Sequence, residues 1–343
     1  MKTILFCNLS YAFAILKPLA DLLEKQGEAY VWYVPSSLKK EFPYQTMPST
    51  HKVSVLKRFK SDAIFVCGNE VPYWLQGVKV QVFHGLAGEK KGHFRIRHYF
   101  DLYLTQGSYF TKQFQALEKK HKNFEVLETG WCKLDPLFKT SPEVVSYKEA
   151  LLKEHNAKHI ILYAPTFSPS LTSAQMLKPT IEKLSLSDNI LVLIKFHNKM
   201  NKESIKSYEK LSSDNIVIVK DNDITKSLQI ADVMISDTSS VVYEFLLLDK
   251  PVVTLNSTSP NIQWKNVTKE NEVYQEVMDI LQGEDRFINK RQEVISLYHP
   301  YHDGKSAKRV LEATQSYIFR NGVPTKRKLP FLRKLEMINK YAL

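Results

Sequence analysis

Residues 233–253 confine this chain to a narrow set of folds. Val233-Met-Ile-Ser reads as a buried strand, Asp237-Thr-Ser-Ser240 as a turn of small polar residues, and the next stretch as a helix running to a second strand at Pro251–Leu255. Ser236, Asp237, Thr238, Ser239 and Ser240 thus sit where a helix opens from the carboxyl end of a strand. Free backbone N–H groups and the positive end of the helix dipole favour a phosphate there. Glu244 lies one helical turn beyond Ser240, placed to meet the hydroxyls of a ribose carried by that phosphate. The same residues also read as an ordinary capped helix, because Ser, Thr and Asp are the usual caps.

The rest of the chain repeats the theme. Strand-like runs at Thr3–Cys7, Ala29–Val34, Ala63–Cys67, Lys79–Phe83, Leu102–Thr105 and Glu125–Glu128 alternate with helical segments at Ile15–Gln26 and Tyr109–Lys120. The pattern restarts with a helix at Lys148–His155 and strands at His159–Tyr163, Ile190–Phe196 and Ile216–Val219. A short helix at Ile224–Ile230, with Asp223 as its cap, precedes the 233–253 unit. Glu272–Leu281, Arg286–Tyr298 and Lys305–Arg320 read as closing helices. Such alternation implies an α/β fold with parallel, doubly wound sheets. The expected organisation is two Rossmann-like domains facing a cleft, 1–145 and 146–320, followed by a basic amphipathic tail, 321–343. No repeat of solenoid length and no low-complexity linker interrupts it.

Ligands of open α/β sheets bind beyond the carboxyl ends of strands. His84 and Gly85 follow one such strand, with the glycine-flanked basic loop Gly88-Glu-Lys90-Lys91-Gly92 next to them. His197 follows another in the second half, two residues after Lys195, and Thr166 ends a third. Each half therefore offers one imidazole, the usual general base near neutral pH. A lone strand-end histidine is as a rule structural; two, beside a phosphate-type turn, point to chemistry.

Other patterns carry less. Asp221-Asn-Asp223 has the spacing of a metal-holding motif but directly precedes a helix, so Asp223 is expected to cap it and no metal is expected. His155 and His159 straddle a helix-to-strand junction without a third ligand nearby. His93 and His98 lie in an Arg-rich stretch that reads as a phosphate contact or a solvated face. No G-x-G-x-x-G, Walker loop, zinc finger or RNA-recognition signature is present, and no cofactor or nucleic-acid partner is expected.

The net charge is +12, and its distribution is uneven. From Arg320 onward seven basic residues face one acid, Glu336, with Phe331, Leu332, Leu335, Met337 and Ile338 among them. Such a segment suits an anionic membrane surface. It also reads as a terminal helix packed on the body. Three widely spaced cysteines and the absence of a signal-type apolar run suggest a cytoplasmic setting.

Taken in order, His84-Gly85 with Lys90-Lys91-Gly92, Thr129-Gly130 with Asp135, Tyr163-Ala-Pro-Thr166, Lys195-Phe-His197, Ser236-Asp-Thr-Ser-Ser240 with Phe245-Leu-Leu-Leu-Asp-Lys-Pro251, and Asp303-Gly304 resemble the CDP-glycerol glycerophosphotransferase family of teichoic acid and capsule synthesis. The resemblance runs from about residue 80 to 315. Phe83 stands where the family commonly has Trp, and Lys195 where it usually has Arg. The resemblance implies a GT-B architecture and peripheral association with the inner face of the cytoplasmic membrane. It implies transfer of an alcohol phosphate from a CDP-alcohol to a hydroxyl of a lipid-linked or glycan acceptor, with release of CMP, and it carries the family's two essential histidines onto His84 and His197. It assigns nucleotide-phosphate contacts to Ser239, Ser240 and their neighbours. The short chain suggests a single-addition enzyme rather than a processive one. Two other readings are kept: a GT-B glycosyltransferase using a UDP-, GDP- or CMP-sugar at the same phosphate site, and a binding protein without catalysis.

Overall fold

The computed structural model describes residues 1–86, 92–221 and 223–341. They form two compact units, the first comprising Met1–Pro136 and Leu297–Leu343, the second Leu137–Ser296.

The first unit begins β1 (Thr3–Phe6), α1 (Ala12–Lys25), β2 (Tyr30–Tyr33), β3 (Ser49–Thr50), α2 (Val53–Phe59) and β4 (Ala63–Val66). It continues β5 (Val78–Gln81), β6 (Leu102–Thr105), α3 (Ser108–His121) and β7 (Glu125–Glu128). Its strands make a seven-stranded sheet in the order β3-β2-β1-β4-β5-β6-β7. Every pairing is parallel. Strands β1, β4, β5 and β6 are buried along their whole length. Helices cover both faces of such a sheet, which is why these strands read as continuous apolar runs. Helix α1 ends at a glycine: Gly27 takes φ +67, and the Glu28 N–H reaches back to Leu23 O at 2.9 Å.

The second unit contains α4 (Pro142–Glu154), β8 (His159–Tyr163), α5 (Lys178–Ser185), β9 (Ile190–Ile194), α6 (Lys202–Glu209) and β10 (Ile216–Ile218). Then come α7 (Thr225–Ile230), β11 (Val233–Ser236), α8 (Val241–Leu246), β12 (Val252–Leu255), β13 (Lys265–Val267), α9 (Glu270–Leu281) and α10 (Ile288–Tyr298), whose last two residues belong to the first unit. The sheet order is β10-β9-β8-β11-β12-β13, again all parallel. The strand order reverses between β8 and β11, which marks the switch point where an open sheet leaves a crevice. Its core packs Ile161, Val192, Ile194, Ile235 and Val253 against Leu177, Ile181 and Val277.

The chain then returns to the first unit through α11 (Ser306–Asn321) and α12 (Phe331–Tyr341). Residues 297–320, expected with the second half, belong instead to the first unit, as does α12. Two buried carboxylates fasten them. Asp135 accepts the backbone N–H groups of Ser306 and Ala307 at 2.8 and 2.7 Å, so it caps α11 from a distant loop. Gly130 lies beside it at φ +80, and a Cβ there would come within 2.6 Å of Ser306 Oγ. Asp101 pairs with Arg327, whose guanidinium also donates to His98 O and Asn123 O. The tail is thus anchored on the body, with Met337 and Tyr341 buried and Phe331, Leu332, Leu335 and Ile338 exposed. No described helix is long and apolar enough to cross a membrane.

Candidate active site

At the end of β5 the backbone turns sharply. Phe83 adopts φ +61, a conformation that costs a bulky residue on the order of 1–3 kcal/mol. Packing holds it: its ring stacks on His93 at 5.5 Å and meets Phe114 at 5.0 Å. The next residue, His84, is left exposed. His84 Nδ1 lies 3.1 Å from Cys67 O, and its ring stacks on Tyr11 at 5.3 Å. A carbonyl oxygen can only accept, so Nδ1 carries the proton of the neutral ring. The Nε2 lone pair is then the basic one. Gly85 follows, with its carbonyl held by Gln106 Nε2 at 2.9 Å. Lys90 and Lys91 lie outside the described residues. His93, from the Arg-rich stretch, is half-buried rather than on a solvated face. It sits among Phe83, Phe94, Phe110 and Phe114, and burial lowers its pKa to about 4.

His197 is set the opposite way. It follows β9 and is also exposed, with Phe167 against its ring at 4.4 Å. Its Nδ1 accepts the Lys199 backbone N–H at 3.1 Å. In the neutral ring the proton therefore sits on Nε2, as a donor. Partial burial, then Lys199 and Lys195, hold its pKa below the ordinary histidine value, so the neutral form prevails at pH 7. Lys195 is buried, donates to Phe196 O at 3.0 Å, and has its own pKa lowered by burial.

The turn after β11 divides into two kinds of residue. Ser236 and Asp237 are fully buried. Ser236 Oγ donates to Ala164 O at 2.7 Å. Asp237 accepts from Thr166 N at 2.9 Å, Ser173 N at 2.8 Å and Ser173 Oγ at 2.9 Å. Both oxygens are spent on tying the loop after β8 to the turn after β11, across the switch point. Burial outweighs those bonds and raises the carboxyl pKa. Thr166 is held in this way through its backbone. Thr238, Ser239, Ser240 and Glu244 stay at least partly exposed. Thr238 Oγ1 accepts the Thr258 N–H at 3.0 Å. The N–H groups of Thr238, Ser240 and Val241 have no acceptor among the described residues. Helix α8 has only six residues, so anion affinity here rests on these N–H groups and hydroxyls rather than on a long dipole.

Two motif residues turn out to be fastenings. Lys250 donates to the carbonyls of Leu228, Gln229 and Ala231, closing the C-terminus of α7. Asp249 accepts from Arg291 at 2.8 Å and Gln292 at 2.7 Å. Asp223 accepts from Thr225 N and Oγ1 at 2.9 and 2.7 Å, a turn just ahead of α7, whose N-cap position is Ile224 and not Asp223 as expected. Sequence reasoning missed Tyr11 and Cys67, which orient His84; their only signal is a place just past a strand.

A family model described as CDP-Glycerol:Poly(glycerophosphate) glycerophosphotransferase matches residues 48–258. The chain belongs to this family. It is 31% identical over 156 residues to a teichoic acid glycerol-phosphate primase of Bacillus subtilis, covering 44% of this chain and 38% of that protein. It is 23% identical over 281 residues to a teichoic acid poly(glycerol phosphate) polymerase of Bacillus spizizenii, covering 70% and 68%. The chain therefore spans well under half of that primase and about two thirds of that polymerase. The solved wall teichoic acid polymerase TagF superposes with TM-score 0.62 at 15% identity, over 93% of this chain and 89% of that one. A putative UDP-N-acetylglucosamine 2-epimerase from Listeria monocytogenes gives 0.66 at 15% identity, over 96% and 99%. At these identities the superpositions establish the fold, two parallel-sheet Rossmann-like units of the GT-B kind.

Proposed function

We propose that the chain transfers glycerol phosphate, or a related polyol phosphate, from a CDP-alcohol to a hydroxyl of a lipid-linked or glycan acceptor, releasing CMP. The observation that carries the reading is the opposite setting of the two strand-end histidines. His84 offers a lone pair at Nε2, and His197 offers a proton there. In the reaction the acceptor oxygen bonds to the phosphorus bearing the alcohol, and its proton goes to His84 Nε2. The phosphoanhydride bond breaks, and its electron pair leaves with CMP. His197 donates a hydrogen bond to a phosphoryl oxygen as charge builds. A neutral imidazole does not give up its last N–H, so His197 acts as a hydrogen-bond donor and not as an acid. Ser239, Ser240 and the free N–H groups around them are assigned to the diphosphate, and Glu244 to the ribose.

Family membership supports this reading, as does a histidine variant of TagF studied in crystals soaked with CDPG. The test is a panel of CDP-glycerol, CDP-ribitol and UDP-, GDP- and CMP-sugars, read by protection against thermal unfolding and by CMP release with an acceptor. Protection by a CDP-alcohol is expected; protection by a nucleotide sugar alone would replace phosphotransfer with glycosyl transfer at carbon.

The exposed residues Phe331, Leu332, Leu335 and Ile338, with Lys326, Lys328 and Lys334 around them, are assigned to an anionic membrane surface on the cytoplasmic side. Sedimentation with phosphatidylglycerol vesicles is expected to fall sharply in a Leu332→Ser, Leu335→Ser variant. Unchanged sedimentation would remove the tail from this role.

A further inference from the structure

The first sheet has a switch point of its own. β1 lies between β2 and β4, so the chain leaves β1 on one side and β4 on the other. The loops after β1, β2 and β4, with the end of α12, enclose a cleft of about 430 Å³. All of it belongs to the first unit. None of the strand-end residues singled out from the sequence lines it.

Its polar side is built around Glu70, whose side chain is 16% exposed. Oε1 of Glu70 accepts from Tyr341 OH at 3.0 Å and Asn8 Nδ2 at 3.4 Å, and also pairs with Lys340. All three described contacts fall on Oε1, which leaves Oε2 to accept from a ligand hydroxyl. Asn69 lies beside it and is oriented by Arg97, which donates to its Oδ1 at 3.1 Å. Gly68 packs so closely that a Cβ would lie 2.8 Å from Asn8 Oδ1, so the loop has room for no larger residue there without moving Asn8. Other lining residues are apolar or aromatic. Leu9 and Tyr11 are 49% and 40% exposed. Tyr11 spans from the cleft to His84, on whose ring it stacks.

Such a lining selects by charge and by shape. Among the described lining residues Lys340 is the one cation, and it is engaged by Glu70. An incoming phosphoryl group would meet a half-buried carboxylate and find no unspent positive charge. A sugar ring, with a C–H face for Leu9 and Tyr11 and hydroxyls for Glu70 and Asn69, meets neither obstacle. We infer that this cleft binds the acceptor as a neutral, hydroxyl-rich sugar residue and presents one hydroxyl to His84. The inference rests on the phosphotransfer reading for the role of His84. It also gives α12 a second use: the helix with the exposed apolar stripe closes the cleft with Tyr341, so a sugar attached to a lipid would arrive beside it.

The test uses the full chain with two probes, methyl β-glucoside and glycerol 3-phosphate, each read by saturation-transfer NMR. Methyl β-glucoside is expected to give the larger signal. Leu9→Arg, a change at an exposed position on the cleft wall, is expected to cut it about fivefold or more by obstruction. Glu70→Gln is expected to weaken binding by roughly five- to tenfold through loss of a charge-assisted acceptor. A glucoside signal that neither variant alters overturns the assignment. So does a larger glycerol 3-phosphate signal that both variants reduce, which would make the cleft a phosphate site. Thermal protection by CDP-glycerol, measured on the same samples, reads the nucleotide site independently. Glucoside bound through the cleft without that protection would sink the phosphotransfer reading and keep the sugar site.

Discussion

Replacing His84 with alanine is expected to lower acceptor-dependent CMP release by about a thousandfold, within the range a positioned general base supplies. The side chain is exposed, so the fold should not suffer. Protection by CDP-glycerol should persist, because that ligand is assigned to the second unit. Added imidazole should restore part of the rate, since only a lone pair near the acceptor hydroxyl has been lost. His197→Ala is expected to cost about a hundredfold or more, the scale of a lost oxyanion-type hydrogen bond. The informative variant is His197→Gln. A glutamine amide can donate a hydrogen bond but cannot supply a proton, so about a tenfold recovery over alanine is expected if His197 acts by donation alone. Equal rates for the alanine and glutamine variants would remove hydrogen-bond donation as the role of His197. A loss of less than tenfold in His84→Ala would remove the general base from the mechanism altogether.

The parts of this molecule that were legible in the sequence share a physical cause. Strands β9, β11 and β12 are buried from end to end, and β8 along all but its first residue, so composition alone marks them as short, continuous apolar runs. The strand-end positions of His84 and His197 follow from the same runs. What stayed hidden has other causes. β13, Lys265–Val267, is a sheet edge with a polar sequence and carries no apolar signal. α8 was expected to run on, but Asp249 turns left-handed at φ +57 to bring Lys250 under the end of α7. The Asp-Lys pair thus looks like chemistry in sequence and acts as two fastenings in the fold. The return of α11 and α12 to the first unit depends on Asp135 with Ser306 and Asp101 with Arg327, pairs that local pattern cannot connect. The cleft beside Tyr11 was invisible for the same reason: a switch point is a property of strand order, and order emerges only when the sheet is assembled.

Asp237 is where the two readings of one residue diverge most, and its replacement carries the largest expected effect on stability. The sequence placed it among the contacts of the nucleotide. In the fold it is 0% exposed and accepts three hydrogen bonds, from Thr166 N, Ser173 N and Ser173 Oγ. Asp237→Ala would strand two backbone N–H groups in a cavity. With each unsatisfied group costing about 1–3 kcal/mol, a loss of roughly 3–5 kcal/mol is expected. Asparagine should be nearly as harmful, because its NH₂ would face groups that already donate. Trp264 reports the second unit by itself: Trp32, Trp74 and Trp131 all belong to the first, and Trp264 is buried with its N–H on Thr254 Oγ1 at 2.9 Å. Urea titration of fluorotryptophan-labelled protein should therefore move the Trp264 transition down by about 1 M or more in both variants, leaving the other three signals nearer their original midpoints. If Asp237→Ala instead shifts that transition by no more than an exposed carboxylate would, about 0.5 kcal/mol, while CDP-glycerol protection disappears, then Asp237 meets the ligand directly and the buried strut is the wrong account.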